Sequence, residues 1–368
     1  MLICATFTEV MTTIGYVLLA LCCLMFMVVV HEFGHYIAGK FLKFKINEFA
    51  IGFGPRILKF TNKKNGEVFS IRPFPLGGFC QFEGEDEDSE NAGAFNNQAP
   101  WKRLIVLFSG AFFNFLSAII LITLVFTFYG QILPVVGTVY EESALYQDGT
   151  LQSGDVIISV NGKQVNIVMQ DDMNKAFAKV GDDGGTFTVL RNGKKITIDV
   201  ARSAIFERDA EGNIVYDENG IAKTNQAFGF TVGLAYTKLD FFTALGRSFS
   251  YSFFMVYKIL WSFGQLFTGA ISFTEGAGGP VTIITTMSDA AKSGFGVLCY
   301  VVCLISANLA VMNLLPLPAL DGARMVFTVI EWIFKKPVNR KVEGIIHFVG
   351  MIILFGIAIL ADVFQFLV

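Results

Sequence analysis

The sequence predicts a polytopic α-helical membrane protein with four transmembrane helices, a cytoplasmic membrane-associated β hairpin region and an extracytoplasmic α+β domain. Three observations predict it. Apolar residues make up 53% of the 368 residues and charged residues only 16%, whereas soluble domains carry about 25% charged residues. The mean hydropathy is +0.56. The apolar residues are also gathered into long uncharged stretches, as a bilayer core demands.

Four stretches free of Asp, Glu, Lys and Arg carry the helical part of this prediction. A helix needs about 20 mostly apolar residues to cross a hydrocarbon core about 30 Å thick. The stretches are Val10–Val30, Leu104–Gly130, Ser293–Leu320 and Gly344–Ala361. With their flanking residues they define predicted transmembrane segments at 1–38, 104–130, 293–322 and 344–368.

The connecting segments predict the orientation of these helices. Residues 39–103 contain ten Lys and Arg residues and residues 321–343 contain five, and short basic loops stay on the cytoplasmic side. We therefore predict that 39–103 and 323–343 are cytoplasmic, and that both termini and the long segment 131–292 are extracytoplasmic. The formal net charge of −3 offers no basic surface for phosphates, so we expect no nucleic-acid partner.

Residues 39–103 have the composition of β structure. Two extended apolar runs, 44–60 and 67–82, flank a turn-forming segment at Asn62–Gly66. We predict a β hairpin associated with the cytoplasmic face of the membrane. Two roles stay open for it: a strand that pairs with an unwound peptide substrate, or a plain cap over the inner mouth of the helices.

The extracytoplasmic segment divides into three parts. Residues 131–203 alternate short strands and turns, including Leu151–Gly162 and a turn at Arg191–Gly193, and predict a small α+β domain. Residues 204–240 add a β insertion. Residues 241–292 are predicted to form an interfacial amphipathic helix followed by a connector.

One alternative concerns the helix after residue 241. Its stretch 241–274 is rich in Phe, Leu and Trp but is broken by Arg247 and Lys258. A fifth span here would reverse the direction of the next one and move the basic loop 323–343 outside. We favour the interfacial helix, from which Arg247 and Lys258 are expected to reach water.

The first chemical motif is His31-Glu32-Phe33-Gly34-His35, at the inner end of the first span. Residues four apart lie on one face of a helix, so both imidazoles can face one metal ion while Glu32 reaches a water beside it. The spacing predicts a zinc site with Glu32 as general base. A chance string of this kind on a solvated helix would bind no metal, but ionisable groups at membrane depth are costly and mark functional sites.

A catalytic zinc site needs a third protein ligand. Asp321 is the leading candidate because it follows Pro316 and Pro318, which break a helix and let a carboxylate turn toward a metal. In the four-span topology the first and third spans run the same way, which brings Asp321 to the depth of the histidines. His347 in the last span is an alternative ligand, although a lone histidine on an apolar face more often packs between helices. A solvated turn at Asp321 is the other alternative.

These motifs together resemble the site-2 protease family of intramembrane zinc metalloproteases. The HEFGH motif at the end of a first span and NLLPLPALDG, Asn313–Gly322, at the end of a later one are similar to the family's two metal motifs. The chain resembles most closely the bacterial branch of regulator-of-sigma-factor proteases with a single PDZ domain, which implies that 131–203 is PDZ-like. Further similar segments are Ile51–Pro55, Phe74–Gly78 and Gly279–Thr282.

The resemblance implies zinc held by His31, His35 and Asp321, with Glu32 as catalytic base and Asn313 holding the substrate or the developing oxyanion. It implies a protease that cleaves within or near the transmembrane segments of single-span proteins in a bacterial plasma (inner) membrane. Such regulated intramembrane proteolysis cuts anti-sigma factors or remnant signal peptides. The PDZ-like domain would contact peptide or act as a size filter. A second hypothesis is a non-catalytic PDZ-bearing membrane adaptor with a structural metal site.

Overall fold

The computed structural model describes residues 7–85, 87, 89–169, 171–181, 184–209, 211–270 and 278–367. The chain divides into two units, one formed by residues 1–122 and 255–368 and the other by residues 123–254. Residues 1–6 of the predicted first segment and 271–277 of the predicted connector lie outside the described residues.

The elements follow one another along the chain as a long helix, four strands, a second long helix, a β-rich segment and then further helices. The helices are α1 (Phe7–Phe41), α2 (Pro100–Phe128), α3 (Ala144–Gln147), α4 (Asp172–Phe177), α5 (Phe241–Thr268), α6 (Pro280–Ser293), α7 (Phe295–Leu314), α8 (Asp321–Phe334) and α9 (Arg340–Leu367). The strands are β1 (Ile46–Phe53), β2 (Leu58–Thr61), β3 (Val68–Ile71), β4 (Phe74–Phe82), β5 (Gln131–Val139), β6 (Val156–Val160), β7 (Lys163–Gln164), β8 (Gly185–Arg191), β9 (Lys194–Val200), β10 (Ser203–Phe206), β11 (Thr224–Ala227) and β12 (Phe230–Thr237).

Four of the described helices are long and apolar enough to cross a membrane, and the chain is a membrane protein. They are Thr8–Phe41, Pro100–Phe128, Phe295–Leu314 and Arg340–Gln365. Each contains the greater part of one predicted span, and α5 is not among them, which favours four spans over five. The third ends at Leu314, two residues before Pro316, because proline cannot continue a helix.

The segment between α1 and α2 forms a four-stranded sheet in the order β2-β3-β1-β4. Strands β2 and β3 make an antiparallel hairpin around the predicted turn, but β1 runs parallel to β3 and antiparallel to β4. The single predicted hairpin is therefore too simple, since two strands alone are marginally stable and β1 and β4 complete the sheet. Strand β4 lies at one edge.

Glu48 anchors this sheet from β1. Its carboxylate, on a residue only 3% exposed, accepts hydrogen bonds from Arg72 Nη2 at 2.8 Å and Arg56 Nε at 3.2 Å, and from the Ser70 hydroxyl. Burial raises the pKa of Glu48, but these hydrogen bonds outweigh burial and lower the pKa to about 2. The carboxylate therefore stays charged at neutral pH. Its hydrogen bonds connect β1 to Ser70 in β3, to Arg56 just before β2 and to Arg72 directly after β3.

The unit of residues 123–254 contains a sheet with the path β12-β5-β6-β8-β9, with β7 beside β6, and a separate pair formed by β10 and β11. Its core packs Ile157, Phe187, Val189 and Ile198 from alternating strand positions, as period-two strands with one buried face require. Strand β12 comes from the predicted insertion 204–240 and pairs along β5. The main sheet thus extends beyond residue 203.

The two cations of α5 do not reach water, contrary to our expectation. Arg247 is 4% exposed and Lys258 6%. Arg247 donates to the Gln131 side chain at 2.6 Å and to the carbonyls of Ile158 at 2.9 Å and Val165 at 2.6 Å. These acceptors replace water as hydrogen-bond partners of the guanidinium. Arg247, which we predicted to lie at the membrane surface, is therefore buried inside the unit. Burial lowers the pKa of Arg247 to about 10, so it remains a cation at neutral pH.

Candidate metal centre

Helix α1 presents His31 and His35 on one face, one turn apart. Both residues are 7% exposed, and their rings meet edge to face with centroids 4.7 Å apart. The two Nε2 atoms lie 3.1 Å from each other. The spacing of four residues therefore brings two imidazole nitrogens to one point, as the periodicity of a helix predicts.

Asp321 meets these nitrogens from the start of α8. Its Oδ2 lies 3.0 Å from His31 Nε2 and 3.2 Å from His35 Nε2. The three ligand atoms all lie within 4.8 Å of one another, and no other such trio of His, Cys, Asp or Glu side chains occurs among the described residues. His347 is outside the trio. The structure thus brings together the three residues that the sequence singles out as metal ligands.

The arrangement fits a zinc ion. Tetrahedral zinc with ligand bonds of about 2.0–2.1 Å keeps its ligand atoms about 3.3 Å apart, close to the separations seen here. The ring orientation of His35 is also suitable. Its Nδ1–H donates to the Val106 carbonyl at 2.8 Å, so the lone pair of Nε2 is free to bind a metal ion. A backbone partner of this kind fixes the tautomer of a metal-binding histidine.

Asn313, at the end of α7, lies against His31. Its amide nitrogen is 3.3 Å from His31 Nδ1 and 3.5 Å from Nε2. A histidine that binds metal through Nε2 keeps its proton on Nδ1, and a rotation of the Asn313 amide by about 180° presents its oxygen to that proton. Asn313 is therefore placed to orient His31, a contact that the sequence analysis did not consider.

Two glycines allow α1 and α2 to approach closely and still leave room for the two histidine rings. A Cβ atom at Gly110 of α2 would lie 2.5 Å from His35 Nε2 and 2.7 Å from His31 Cε1, and one at Gly34 of α1 would lie 2.5 Å from the Ser109 carbonyl. Any side chain at position 110 would occupy the space of the rings. The sequence analysis did not predict this role for Gly110, because no local pattern connects it with residues 31 and 35.

Glu32 faces a cavity beside the trio. The cavity has a volume of about 370 Å³ and is lined by residues of α1, β4 and α8, among them Glu32, His35, Cys80 and Asp321. Glu32 Oε2 accepts a hydrogen bond from the backbone N–H of Cys80 at 2.9 Å. A carboxylate next to the trio and open to a cavity can take and return a proton there.

The hydrogen bond to Glu32 also shows which way β4 faces. Strand β4 pairs with β1 on one side only, so the Cys80 N–H that reaches Glu32 points away from β1. Alternate residues of a strand direct their backbone groups the same way, which places those of Gly78 and Phe82 on this edge as well. The unpaired edge of the sheet therefore runs past the candidate base.

Charged residues border the site on the side of α8. Arg324, one turn after Asp321, forms an ion pair with Glu85. Deeper along the same helix, the Glu331 carboxylate accepts from Arg103 at 2.6 Å and from Arg340 at 2.8 Å. These pairs connect the start of α2, the start of α9 and α8, so that the helix carrying Asp321 is tied to its neighbours by buried or half-buried charges.

Comparisons with known proteins agree with this chemistry. The sequence profile described as peptidase family M50 matches residues 19–357. A protein of Mesorhizobium japonicum, named as a zinc metalloprotease, is 30% identical over 89% of this chain and 91% of its own length. Proteins with similar names from Fusobacterium nucleatum and Clostridium perfringens are 31% and 28% identical, over 92% and 95% of this chain and 94% and 97% of their own lengths.

Proposed function

The chain belongs to peptidase family M50, the site-2 protease family, and is a zinc metalloprotease, and from this premise we propose that it hydrolyses peptide bonds within or near the transmembrane segments of other membrane proteins. One observation carries the proposal. His31 and His35 on a membrane-spanning helix converge with Asp321, about 290 residues away in sequence, beside Glu32 and a cavity. The non-catalytic adaptor hypothesis has no comparable support.

In this proposal His31, His35 and Asp321 hold the zinc ion, which when bound supplies the Lewis acidity that activates water and polarises a carbonyl. Glu32 takes the proton from the attacking water and delivers it to the leaving amine. The Val106 carbonyl and Asn313 hold the two imidazoles in orientation. We also propose that Asn313 holds the substrate or the developing oxyanion, the role that the resemblance of its motif to the family implies.

The edge of β4 suggests how a substrate is held. An extended peptide can add to an unpaired strand edge through backbone hydrogen bonds, and a helical segment must be opened before its peptide bonds can be hydrolysed. Residues 79–82 of β4 line the cavity that contains Glu32. On this edge the Cys80 N–H donates to Glu32 and the Phe82 N–H to Glu85 Oε2 at 3.3 Å, side-chain bonds that an added peptide would replace. We therefore favour substrate pairing with β4 over the alternative of a plain cap.

The wider setting follows from the same proposal. The basic residues of 39–103 and 323–343 favour a cytoplasmic position for both segments, with the termini and the unit of residues 123–254 outside. Single-span proteins of a bacterial plasma membrane, such as anti-sigma factors or remnant signal peptides, are the proposed substrates. The PDZ-like interpretation of residues 131–203, as peptide contact or as size filter, belongs to this proposal.

The test separates chemistry from metal binding. The full-length protein in lipid nanodiscs is incubated with a single-span test substrate, and cleavage and bound zinc are measured. Glu32→Gln is expected to keep zinc and fold but to lose cleavage, since its amide cannot accept the proton, whereas His31→Ala is expected to lose both. Glu9→Gln, a carboxylate removed from the same helix far from the site, is the matched control. Cleavage by the Glu32→Gln protein at the wild-type rate would refute the proposal.

A further inference from the structure

The loop between α7 and α8 is held both by hydrogen bonds within itself and by a hydrogen bond to another helix. It spans residues 315–320 and contains two prolines, which donate no backbone hydrogen bond, and its Ala319 has a left-handed backbone with a φ of 77°. Within the loop the Leu317 N–H donates to Leu315 and the Leu320 N–H to Leu317. The Ala319 N–H instead leaves the loop and donates to Nδ1 of His347 on α9, at 2.9 Å.

His347 is built to receive that hydrogen bond. Because Nδ1 accepts an N–H, the proton of the neutral ring lies on Nε2, so this contact uses one tautomer of the imidazole. The ring also contacts Phe327 of α8, with centroids 5.8 Å apart. His347 therefore touches the elements on both sides of Asp321, the loop before it and the helix that it begins.

Gly350 forms the second part of the same contact, one turn further along α9. A Cβ atom at this position would overlap the Cβ of Pro318, so the proline loop packs directly on the helix backbone. Gly356, two turns beyond, is the informative contrast, because a Cβ added there meets nothing within 4 Å. The close approach is thus particular to the helix face that meets the loop.

We propose that His347 and Gly350 form a cradle on α9 that holds Pro318 and Ala319 and so positions Asp321 as the third zinc ligand. The inference deepens the proposed function and rests on Asp321 being a ligand. It assigns His347 a role other than the ligand considered from the sequence: a positioning residue that acts through the backbone two residues before Asp321. Groups that hydrogen-bond a metal ligand directly are commonly worth about 10–100-fold in metal affinity, and the lower end of that range sets the effect expected for His347, which acts through the backbone.

The test measures metal binding as well as activity. The full-length protein in nanodiscs is loaded with zinc for competition against a chelator series, and with Co²⁺ as a spectroscopic probe of the ligand geometry. His347→Phe keeps a ring but loses the acceptor, and we expect it to weaken zinc binding at least about tenfold and to change the Co²⁺ absorption spectrum. His347→Asn retains an acceptor the same number of bonds from Cα, because Oδ1 replaces Nδ1, and should restore most of both.

Substitutions at Gly350 and Gly356 provide an independent test. Gly350→Ala is expected to weaken zinc binding and alter the Co²⁺ spectrum, whereas Gly356→Ala, the same change on the same helix, should leave both at wild-type values. The proposal is overturned if His347→Phe and Gly350→Ala bind zinc as tightly as the wild type with unchanged spectra. It is also overturned if His347→Asn is as weak as His347→Phe, or if the two glycine variants lose affinity equally.

One further variant distinguishes this inference from the proposed function. Asp321→Ala should abolish the Co²⁺ spectrum of the wild type if Asp321 is a ligand. An unchanged spectrum in Asp321→Ala would contradict the ligand assignment itself. A lost spectrum in Asp321→Ala, combined with a normal one in His347→Phe, would contradict the cradle alone.

Discussion

The two histidine rings lie against the backbone of α2 because residue 110 has no side chain. His31 and His35 could share one face of α1 in any helix, but they converge with Asp321 only if the neighbouring helix leaves space for them. Gly110 leaves that space, and the Val106 carbonyl one turn earlier fixes the His35 ring. At the scale of single residues, the geometry of the site therefore depends on the lack of a side chain at Gly110 as well as on the polar atoms of the three converging residues.

Gly110→Ala tests this directly. The new Cβ would lie 2.5 Å from His35 Nε2, so the ring must turn away, and we expect zinc affinity to fall at least about tenfold in a chelator competition. Gly15→Ala on α1, whose added Cβ meets nothing within 4 Å, is the control. Equal zinc affinity in Gly110→Ala and the wild type would show that the rings do not need this space.

At the scale of elements, α9 joins two parts of its unit that are distant along the chain. Near its start it contacts the loop before Asp321, and near its end the Asp362 carboxylate accepts the N–H groups of Val281 at 3.0 Å and Thr282 at 2.9 Å, at the first turn of α6. A Cβ at Gly279 would lie 2.5 Å from Asp362 Cγ. The last helix thus provides the N-terminal cap that α6 lacks in its own sequence.

Removing this cap should destabilise the fold. Asp362→Ala leaves two N–H groups of α6 without their acceptor, and capping carboxylates contribute about 0.5–2 kcal/mol, so we expect a lower melting temperature in nanodiscs. Asp289→Ala removes an exposed carboxylate of α6 that pairs with Lys292 at 2.9 Å, where about 0–1 kcal/mol is at stake. The same small shift in both variants would argue against a capping role.

At the scale of the whole molecule, a zinc ion held as we propose would connect segments that are remote in sequence. His31 and His35 lie on the first span and Asp321 follows the third, so a bound ion cross-links α1 to the loop before α8. A ligand that binds only the folded state stabilises it, by about 2.7 kcal/mol at a free concentration one hundred times its Kd. Metal occupancy should therefore be visible as thermal stability.

Chelation measures this contribution. Stripping zinc from the purified protein should lower its melting temperature, and adding zinc back should restore it in a concentration-dependent way. His35→Ala should melt near the temperature of the stripped protein and respond to neither treatment. A chelator-induced shift of the same size in His35→Ala would place the stabilising metal elsewhere.

Much of this architecture could be predicted because it depends on local patterns. Uncharged stretches give the spans, and the spacing of His31 and His35 places both on one helix face. Contacts between distant segments leave no such pattern: nothing in the sequence connects His347 with Ala319, or Cys80 with Glu32. Arg247 shows the same limit, since its acceptors come from strands and loops more than 80 residues away.

If a substrate pairs with β4 as we propose, the hydrogen bond from Cys80 to Glu32 would make catalysis depend on the conformation of that substrate. The Cys80 N–H that donates to Glu32 belongs to β4, the strand along which we propose that the substrate peptide aligns. Only an extended peptide can pair along that strand past the Glu32 carboxylate. The backbone groups of a helical peptide do not match the spacing of the strand. Selection would then act on how readily a segment uncoils, with the identity of its side chains as a secondary factor.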